Sequence, residues 1–174
     1  MLAEFLSASF RASPPDVWPV DPSDAGALAR LHASAFPLAG EAWGAGEFHT
    51  LLSQPSTFGH RAIRAGALGL SRPEPRGFVL AREAGGEAEI LTIAVHPSWH
   101  GRGIGRSLME AVLRELHVHR AEALFLEVNE GNRAAMGLYG SLGFVEVGRR
   151  ESYYPARNGE HAAALTMRLD LHGS

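Results

Sequence analysis

Apolar residues recur along this chain with two spacings, every second residue and every third or fourth, and the changes between them mark its elements. Val17 to Val20 reads as a short strand. Asp21-Pro22-Ser23-Asp24 then opens a helix, with Asp21 as cap and Pro22 at the first helical position. Leu28, Leu31, His32 and Ala35 carry its spacing, and Pro37 ends it. A loop-rich stretch over 37–57, with Gly40, Gly44, Gly46 and Pro55, holds a short helix from Ala45 to Leu52. Strands are predicted at Phe58 to Ala65, Gly77 to Glu83 and Glu87 to His96. Gly66 to Arg76 is a turn, and Gly85-Gly86 closes a hairpin.

The second half alternates helix and strand. A helix over about Gly105 to Arg120 lines Leu108, Met109, Val112, Leu113 and Leu116 along one face. Ala123 to Val128 is a strand. Asn132 caps a further helix whose Ala135, Leu138, Tyr139 and Leu142 share a face, and Gly143 stands where a helix ends. Strands at Phe144 to Arg150 and Ala162 to Leu171 complete the chain; in the last, Leu165, Met167, Leu169 and Leu171 alternate. This order predicts a mixed α/β sheet. Residues 1–16, ending in Ser13-Pro14-Pro15-Asp16, read as an N-terminal extension, and 17–174 as a single domain.

Composition narrows the chemistry. The net charge of −3 comes without a basic stripe, which argues against nucleic acid as a direct partner. All 16 basic residues are Arg, so a Walker lysine and a Schiff-base lysine are both excluded. With zero Cys there are no disulfides, thiolate nucleophiles or cysteine metal sites. No apolar run approaches the ~20 residues of a membrane span, and the N-terminus lacks a basic n-region. The expectation is a cytoplasmic protein, a monomer or weak dimer, without a membrane partner. His117 and His119 share a helix with no acidic pair at metal spacing, and no H-E-x-x-H occurs, so no metal is expected.

The most specific signal is the junction from Ile90 to Ser107. An aliphatic strand breaks at Pro97, a turn Gly101-Arg102-Gly103-Ile104-Gly105 follows, and an amphipathic helix begins. A glycine turn at a helix N-terminus cradles anions: its N–H groups point outward and the helix end carries partial positive charge. The dinucleotide pattern G-x-G-x-x-G fails in both registers, since the last position falls on Arg106 or Leu108. Walker A fails for want of Lys.

The run His100-Gly101-Arg102-Gly103-Ile104-Gly105 resembles the Q/R-x-x-G-x-G/A pyrophosphate loop of the GCN5-related N-acetyltransferases (GNAT), with His100 where Gln or Arg is usual. A second stretch, Asn132, Ala135 and Leu138-Tyr139-Gly140-Ser141-Leu142-Gly143-Phe144, is similar to that family's later N-x-x-A-x-x-L-Y-x-x-x-G-F pattern. Leu126-Glu127-Val128 and Arg149-Arg150-Glu151-Ser152-Tyr153-Tyr154-Pro155 resemble its RimI branch, whose members acetylate the N-terminal α-amine of a ribosomal protein. The likeness runs from about residue 17 to the end. One segment departs: a Trp typically follows Ala-Phe-Pro, but Leu38 stands after Pro37 and Trp43 comes later.

The resemblance implies an α/β (α+β) GNAT fold: a central, mixed but mostly antiparallel twisted sheet of about seven strands, flanked by about four helices and splayed between strands 4 and 5. It implies acetyl-CoA as cofactor, with CoA as product. Ile93, Ala94 and Val95 offer backbone groups to the pantetheine arm. His100, Gly101, Arg102, Gly103, Ile104, Gly105 and Arg106 bind the pyrophosphate, chiefly through N–H groups, and Asn132 is a cap and cofactor contact. Glu127 is the base that takes the amine proton, and Tyr139 the acid for the departing thiolate. Tyr153, Tyr154 and Arg149 shape the peptide slot. Each has a plainer reading: Glu127 as a solvated strand-end carboxylate, Tyr139 as a core ring, the arginines as surface charge. Two other functions stay open, acetylation of a small-molecule amine or amino acid, motivated by Leu38, and a non-catalytic acyl-CoA-binding module.

Overall fold

The computed structural model describes residues 15–37, 42–63, 73–155 and 161–171; of residues 152–155, 161 and 162 it describes the backbone alone. Most of the expected N-terminal extension and Leu38 lie outside these residues.

The strands are β1 (Asp16–Pro19), β2 (Thr57–Ile63), β3 (Gly77–Ala84), β4 (Glu87–Val95), β5 (Ala123–Asn129), β6 (Val145–Pro155) and β7 (His161–Asp170). The α-helices are α1 (Ala25–Ala35), α2 (Ala45–Leu52), α3 (Ile104–His119) and α4 (Arg133–Ser141). Short 3-10 turns, Pro22–Asp24 and Pro97–Trp99, precede α1 and α3. Asp21 caps the first of these turns, accepting from the Ser23 N–H, while Asp24 returns a bond to the Asp21 N–H. The predicted helix at Pro22 therefore begins as a 3-10 turn and becomes α-helical at Ala25. Asn132 caps α4, accepting from the Ala135 N–H at 3.1 Å.

Most predicted strand ends agree with the structure to within two residues. The exception is β6, expected to stop at Arg150 but continuing to Pro155. Its register against β7 shifts between Arg150 and Tyr154, and such an irregularity breaks the alternation that a sequence reading follows.

The seven strands form one sheet in the order β1-β2-β3-β4-β5-β7-β6. Every neighbouring pair is antiparallel except β4 with β5, which is parallel. Alternation along the strands divides the core into two layers. On one face Leu108, Met109, Val112 and Leu116 of α3 and Tyr139 of α4 pack on Val79, Ala81, Leu124, Leu126, Val128, Leu165 and Met167. On the other, Leu28 and Leu31 of α1 and Phe48 of α2 pack on Phe78, Leu80 and Ala94. Each fully buried side chain of this size contributes roughly 1.5–3 kcal/mol relative to exposure.

The β4–β5 pairing is short. It joins Glu87 to Ala123, Ala88 to Leu124 and Glu89 to Phe125, and stops there. Beside that point β4 carries a bulge: Leu80 lies opposite Thr92 and Ala81 opposite Ile90, so Leu91 is the extra residue. A bulge bends and twists its strand. From Ile90 and Leu126 onward the two strands run on with no pairing between them, and a cleft opens in the middle of the sheet.

Candidate active site

The cleft is bordered by the end of β4, the end of β5 and the N-terminus of α3. Gly101 and Gly103 take left-handed backbone, with φ of 72° and 78°. Gly103 caps α3, and the first intrahelical bond runs from the Ser107 N–H to the Gly103 carbonyl. The N–H groups of Ile104, Gly105 and Arg106 therefore have no partner within the helix, and they form the donor end of the helix dipole. A Cβ built on Gly101 or Gly103 meets nothing within 4 Å, so the turn is open outward. A Cβ on Gly105 would approach Leu138 at 3.3 Å, which sets how closely α3 and α4 pass. Arg106 adds a bond to the Ser141 hydroxyl at 2.5 Å and lies 3.8 Å from Glu110.

Two residues expected at the turn direct their side chains to other protein groups. The His100 Nε2 lies 2.8 Å from the Val95 carbonyl, so this ring closes the strand end rather than facing the turn. Arg102 sits over the Trp99 ring at 4.5 Å, and Arg76 over the same ring at 3.5 Å. The sequence reading passed over Trp99 and Arg76; an arginine three residues after a Trp was the only signal, and Arg76 comes from a distant segment.

Leu126 and Val128 are buried in the α3/α4 layer, so alternation turns Glu127 to the α1/α2 side of the sheet, where it is exposed. Its carboxylate accepts from Arg150 of β6. Arg149, on the neighbouring register position, is held by Glu130 and Glu151, each at 2.5 Å. The N–H of Ala163 and then Arg149 hold the Glu130 carboxyl below its ordinary value. Arg149 is thus committed to a local acidic pair. The side chains of Tyr153 and Tyr154 lie outside the described residues.

Tyr139 reaches toward the sheet from the opposite layer. It is 5% exposed, and its ring lies 5.7 Å from that of Phe144. Burial pushes its hydroxyl up to about 12. A phenol in that state keeps its proton throughout the neutral range and can give one up only to a strongly basic partner. The core role and the acid role are compatible: the ring packs while the hydroxyl holds a proton. Glu127 and Tyr139 therefore belong to opposite faces of the sheet, one on β5 and the other on α4.

Among the described residues no group of three or more His, Asp or Glu is placed to hold a metal ion, and no helix is long and apolar enough to cross a membrane.

Comparison with known proteins finds a family model and solved structures of the same fold. Residues 25–144 match the model of the acetyltransferase (GNAT) family. A curated relative from Salmonella typhimurium, [Ribosomal protein bS18]-alanine N-acetyltransferase, is 43% identical over 77 residues, which are 44% of this chain and 51% of that protein. The N-alpha-acetyltransferase RimI of Mycobacterium tuberculosis is 43% identical over 76 residues, 44% of each chain. The matched stretch thus spans about half the length of these relatives. The crystal structure of the ribosomal-protein-S18-alanine N-acetyltransferase from Escherichia coli superposes with a TM-score of 0.78 at 26% identity, covering 91% of this chain and 95% of that one. Arabidopsis thaliana NAA60, solved in complex with acetyl-CoA, shares the fold with a TM-score of 0.73 at 23% identity, covering 91% and 99%.

Proposed function

This chain belongs to the acetyltransferase (GNAT) family, and we propose that it transfers acetyl from acetyl-CoA to the N-terminal α-amine of a ribosomal protein in the cytoplasm. The observation that carries the reading is the cleft between β4 and β5, with an anion-binding turn at its end and Glu127 and Tyr139 on its two sides.

The residues present fit the cofactor. The free N–H groups of Ile104, Gly105 and Arg106, with the open turn at Gly101 and Gly103, suit a pyrophosphate. The edge of β4 beyond Glu89 has no strand beside it; the His96 N–H bonds the Arg76 carbonyl, so by alternation Ala94 turns its backbone groups to β3 and Ile93 turns its own to the open edge, where they can pair with the amides of a pantetheine arm. Val95 contributes less, because its carbonyl already meets His100. Asn132 spends its side-chain oxygen on the α4 cap and keeps its amide N–H₂ for a ligand.

When bound, acetyl-CoA supplies an activated acetyl thioester. Glu127 accepts the proton of the acceptor ammonium, directly or through water, and leaves a neutral amine with a free lone pair. The amine nitrogen would form the new bond to the acyl carbon as the bond to sulfur breaks. Tyr139 would give its hydroxyl proton to the departing thiolate and take up in its place the second proton of the nitrogen, which must leave as the amide forms. The resemblance to the RimI branch assigns Tyr153, Tyr154 and Arg149 to the slot for the acceptor peptide, and Arg149 would have to leave Glu130 and Glu151 to serve there.

The choice of acceptor rests on the names of the relatives and on Leu126-Glu127-Val128 and Arg149 to Pro155, which resemble their branch. Intact-mass measurement of a peptide carrying the N-terminus of ribosomal protein bS18, with acetyl-CoA, tests it. A gain of one acetyl group on the α-amine is expected. Turnover of polyamines or amino acids without turnover of the peptide would replace this reading with a small-amine acetyltransferase.

A further inference from the structure

The turn ahead of α3 is built from the residues least able to hold a shape by themselves. Gly101 and Gly103 flank Arg102 in left-handed backbone, and glycine has the most conformational freedom to lose. No side chain caps α3 at Gly103, so the helix entrance lacks the bond that commonly fixes one. Some other contact must keep the donor N–H groups of Ile104, Gly105 and Arg106 in place before an anion arrives.

Trp99 ends the 3-10 turn that leads into these glycines. That turn is firmly held. The His96 side chain accepts from the Ser98 N–H at 3.2 Å, and the Trp99 N–H donates to the His96 carbonyl at 2.8 Å. The partly buried indole packs against the layer formed by α3 and α4. Its ring also carries two guanidiniums, Arg76 at 3.5 Å from the centroid and Arg102 at 4.5 Å. The backbone of Arg76 is anchored on both sides by the sheet. Its N–H donates to the Ala62 carbonyl of β2, and its carbonyl accepts from the His96 N–H, each at 2.8 Å. One ring thus links Arg102, between two glycines, to a residue whose backbone cannot shift without breaking the ladder.

A cation over an aromatic face is attracted by the ring quadrupole, most strongly over Trp. Two like charges on one ring also repel, since they lie no farther apart than about a Debye length. An anion at the turn relieves that repulsion. The stack therefore forms in the free protein and tightens when phosphate binds.

We propose that Trp99 is a positioning residue for the cofactor: by stacking Arg76 and Arg102 on one ring, it ties the Gly101–Gly105 turn to the start of β3 and preassembles the donor end of α3. The ring acts through these arginines and the turn, not on the acetyl group or the acceptor. Its effect on CoA rests on the acetyltransferase reading, whereas order in the turn can be observed with no ligand present.

The test uses Trp99→Leu, which keeps apolar contact with the α3 layer but has no π face, and Trp99→Tyr, which keeps a face. Arg76→Gln removes the cation from the sheet side. Loss of one such contact corresponds to roughly a five- to thirtyfold effect. In calorimetry with CoA, Trp99→Leu and Arg76→Gln should each weaken binding by about that factor, and Trp99→Tyr should recover most of the loss. The KM for acetyl-CoA should rise in parallel, with kcat and the acceptor KM unchanged. Arg76→Gln should add no further loss in a Trp99→Leu background. A full additional loss there would mean that Arg76 meets the cofactor itself, and it would overturn the brace. Without ligand, the reporter is hydrogen exchange at the Ser107 amide, whose bond to the Gly103 carbonyl closes the first turn of α3. Exchange there should quicken by a similar factor in Trp99→Leu and Arg76→Gln, and stay near wild type in Trp99→Tyr. Unchanged Ser107 exchange in both of the first two variants overturns the brace, and wild-type CoA affinity in Trp99→Leu overturns the positioning role. If Trp99→Leu does not fold, Ser107 exchange in Arg76→Gln decides the matter. If CoA binds no form of the protein, the cofactor reading fails and Ser107 exchange still judges the brace.

Discussion

Arg150 and Glu127 meet across an intervening strand. Glu127 lies opposite Thr166 of β7 and Arg150 opposite Ala164, two positions away on the same face, and the guanidinium donates to the carboxylate. The candidate base thus has a fixed counter-ion on one side and the cleft on the other. Both partners are about half exposed, at 46% and 54% of their side-chain surface, so the pair is easily rearranged.

Glu127→Gln keeps the shape and removes the proton acceptor. A positioned base contributes typically ~10²–10⁴-fold, and kcat/KM is expected to fall within that range while the melting temperature stays near wild type. Arg150→Ala leaves the carboxylate and loses only its orientation. An exposed pair is worth at most about 1 kcal/mol, so the loss should not exceed roughly fivefold. Steady-state kinetics of the two variants checks both. Equal losses would move the catalytic burden from Glu127 to the pair.

Tyr139→Phe separates the two roles of that side chain. The ring and its contact with Phe144 remain, so stability should change by less than ~1.5 kcal/mol. The hydroxyl is gone, and kcat should fall about 10²-fold with little change in CoA affinity. Because burial holds the hydroxyl at about 12, the wild-type pH–rate profile should show no alkaline decline from this group below that value. Single-turnover rates against pH provide the measurement. A kcat unaffected by the substitution would leave Tyr139 as core alone.

The fold was legible in the sequence wherever periodicity and punctuation agree. Asp21, Gly85-Gly86, Asn132 and Gly143 mark turns and caps that the structure retains, and both helical stripes are the faces that become buried. The glycine turn and the Asn132 helix located the cleft because each has a local pattern. Features made by contact between distant segments were not legible. His32 looks like one more position on a helical stripe, and only the fold brings Trp43 and Phe78 to its ring. Arg150 looks like surface charge until β7 carries it alongside Glu127. The extension of β6 to Pro155 was missed because an irregular register erases alternation.

Gly103→Ala tests the anion turn. The residue sits at φ 78°, where an L side chain costs ~1–2 kcal/mol. Its Cβ would meet no protein atom within 4 Å, so that backbone strain is the whole cost to the free protein. The methyl group would also occupy the open side of the turn, where the pyrophosphate is proposed to bind. Calorimetry should show CoA affinity reduced by about tenfold or more, alongside a stability loss of order 1–2 kcal/mol. Gly137→Ala is the control. It lies within α4 with open space at its Cβ and no positive φ. That change should stabilise by roughly 0.5–1 kcal/mol and leave CoA affinity alone.

Stability should fall on mild acidification, and the cause lies away from the cleft. His60 of β2, 9% exposed, places Nε2 3.2 Å from the Glu115 carboxylate of α3, and its Nδ1 is buried without a partner. Burial, and then the charge of Arg114, lower the His60 pKa below 6.5. Burial raises that of Glu115 above 4.5; nearby His119 opposes this shift and Glu83 adds to it. A histidine with a lowered folded pKa is protonated first in the unfolded chain. Its stabilising contribution is present above 6.5 and is lost as the pH falls from there through the lowered folded value. Buried His32 acts in the same direction. Glu115 works oppositely and at lower pH: the folded protein takes up its proton first, so stability is partly regained as the pH falls toward 4.5. Each unit of difference between folded and unfolded pKa is worth about 1.4 kcal/mol. Urea melts at a series of pH values from above 6.5 down to 4.5 should therefore show a decline that slackens at the acid end. His60→Leu should shrink the decline without abolishing it, since His32 remains. Glu115→Gln should remove the slackening. A His60→Leu decline as steep as wild type would show that the β2–α3 contact does not carry the acid sensitivity.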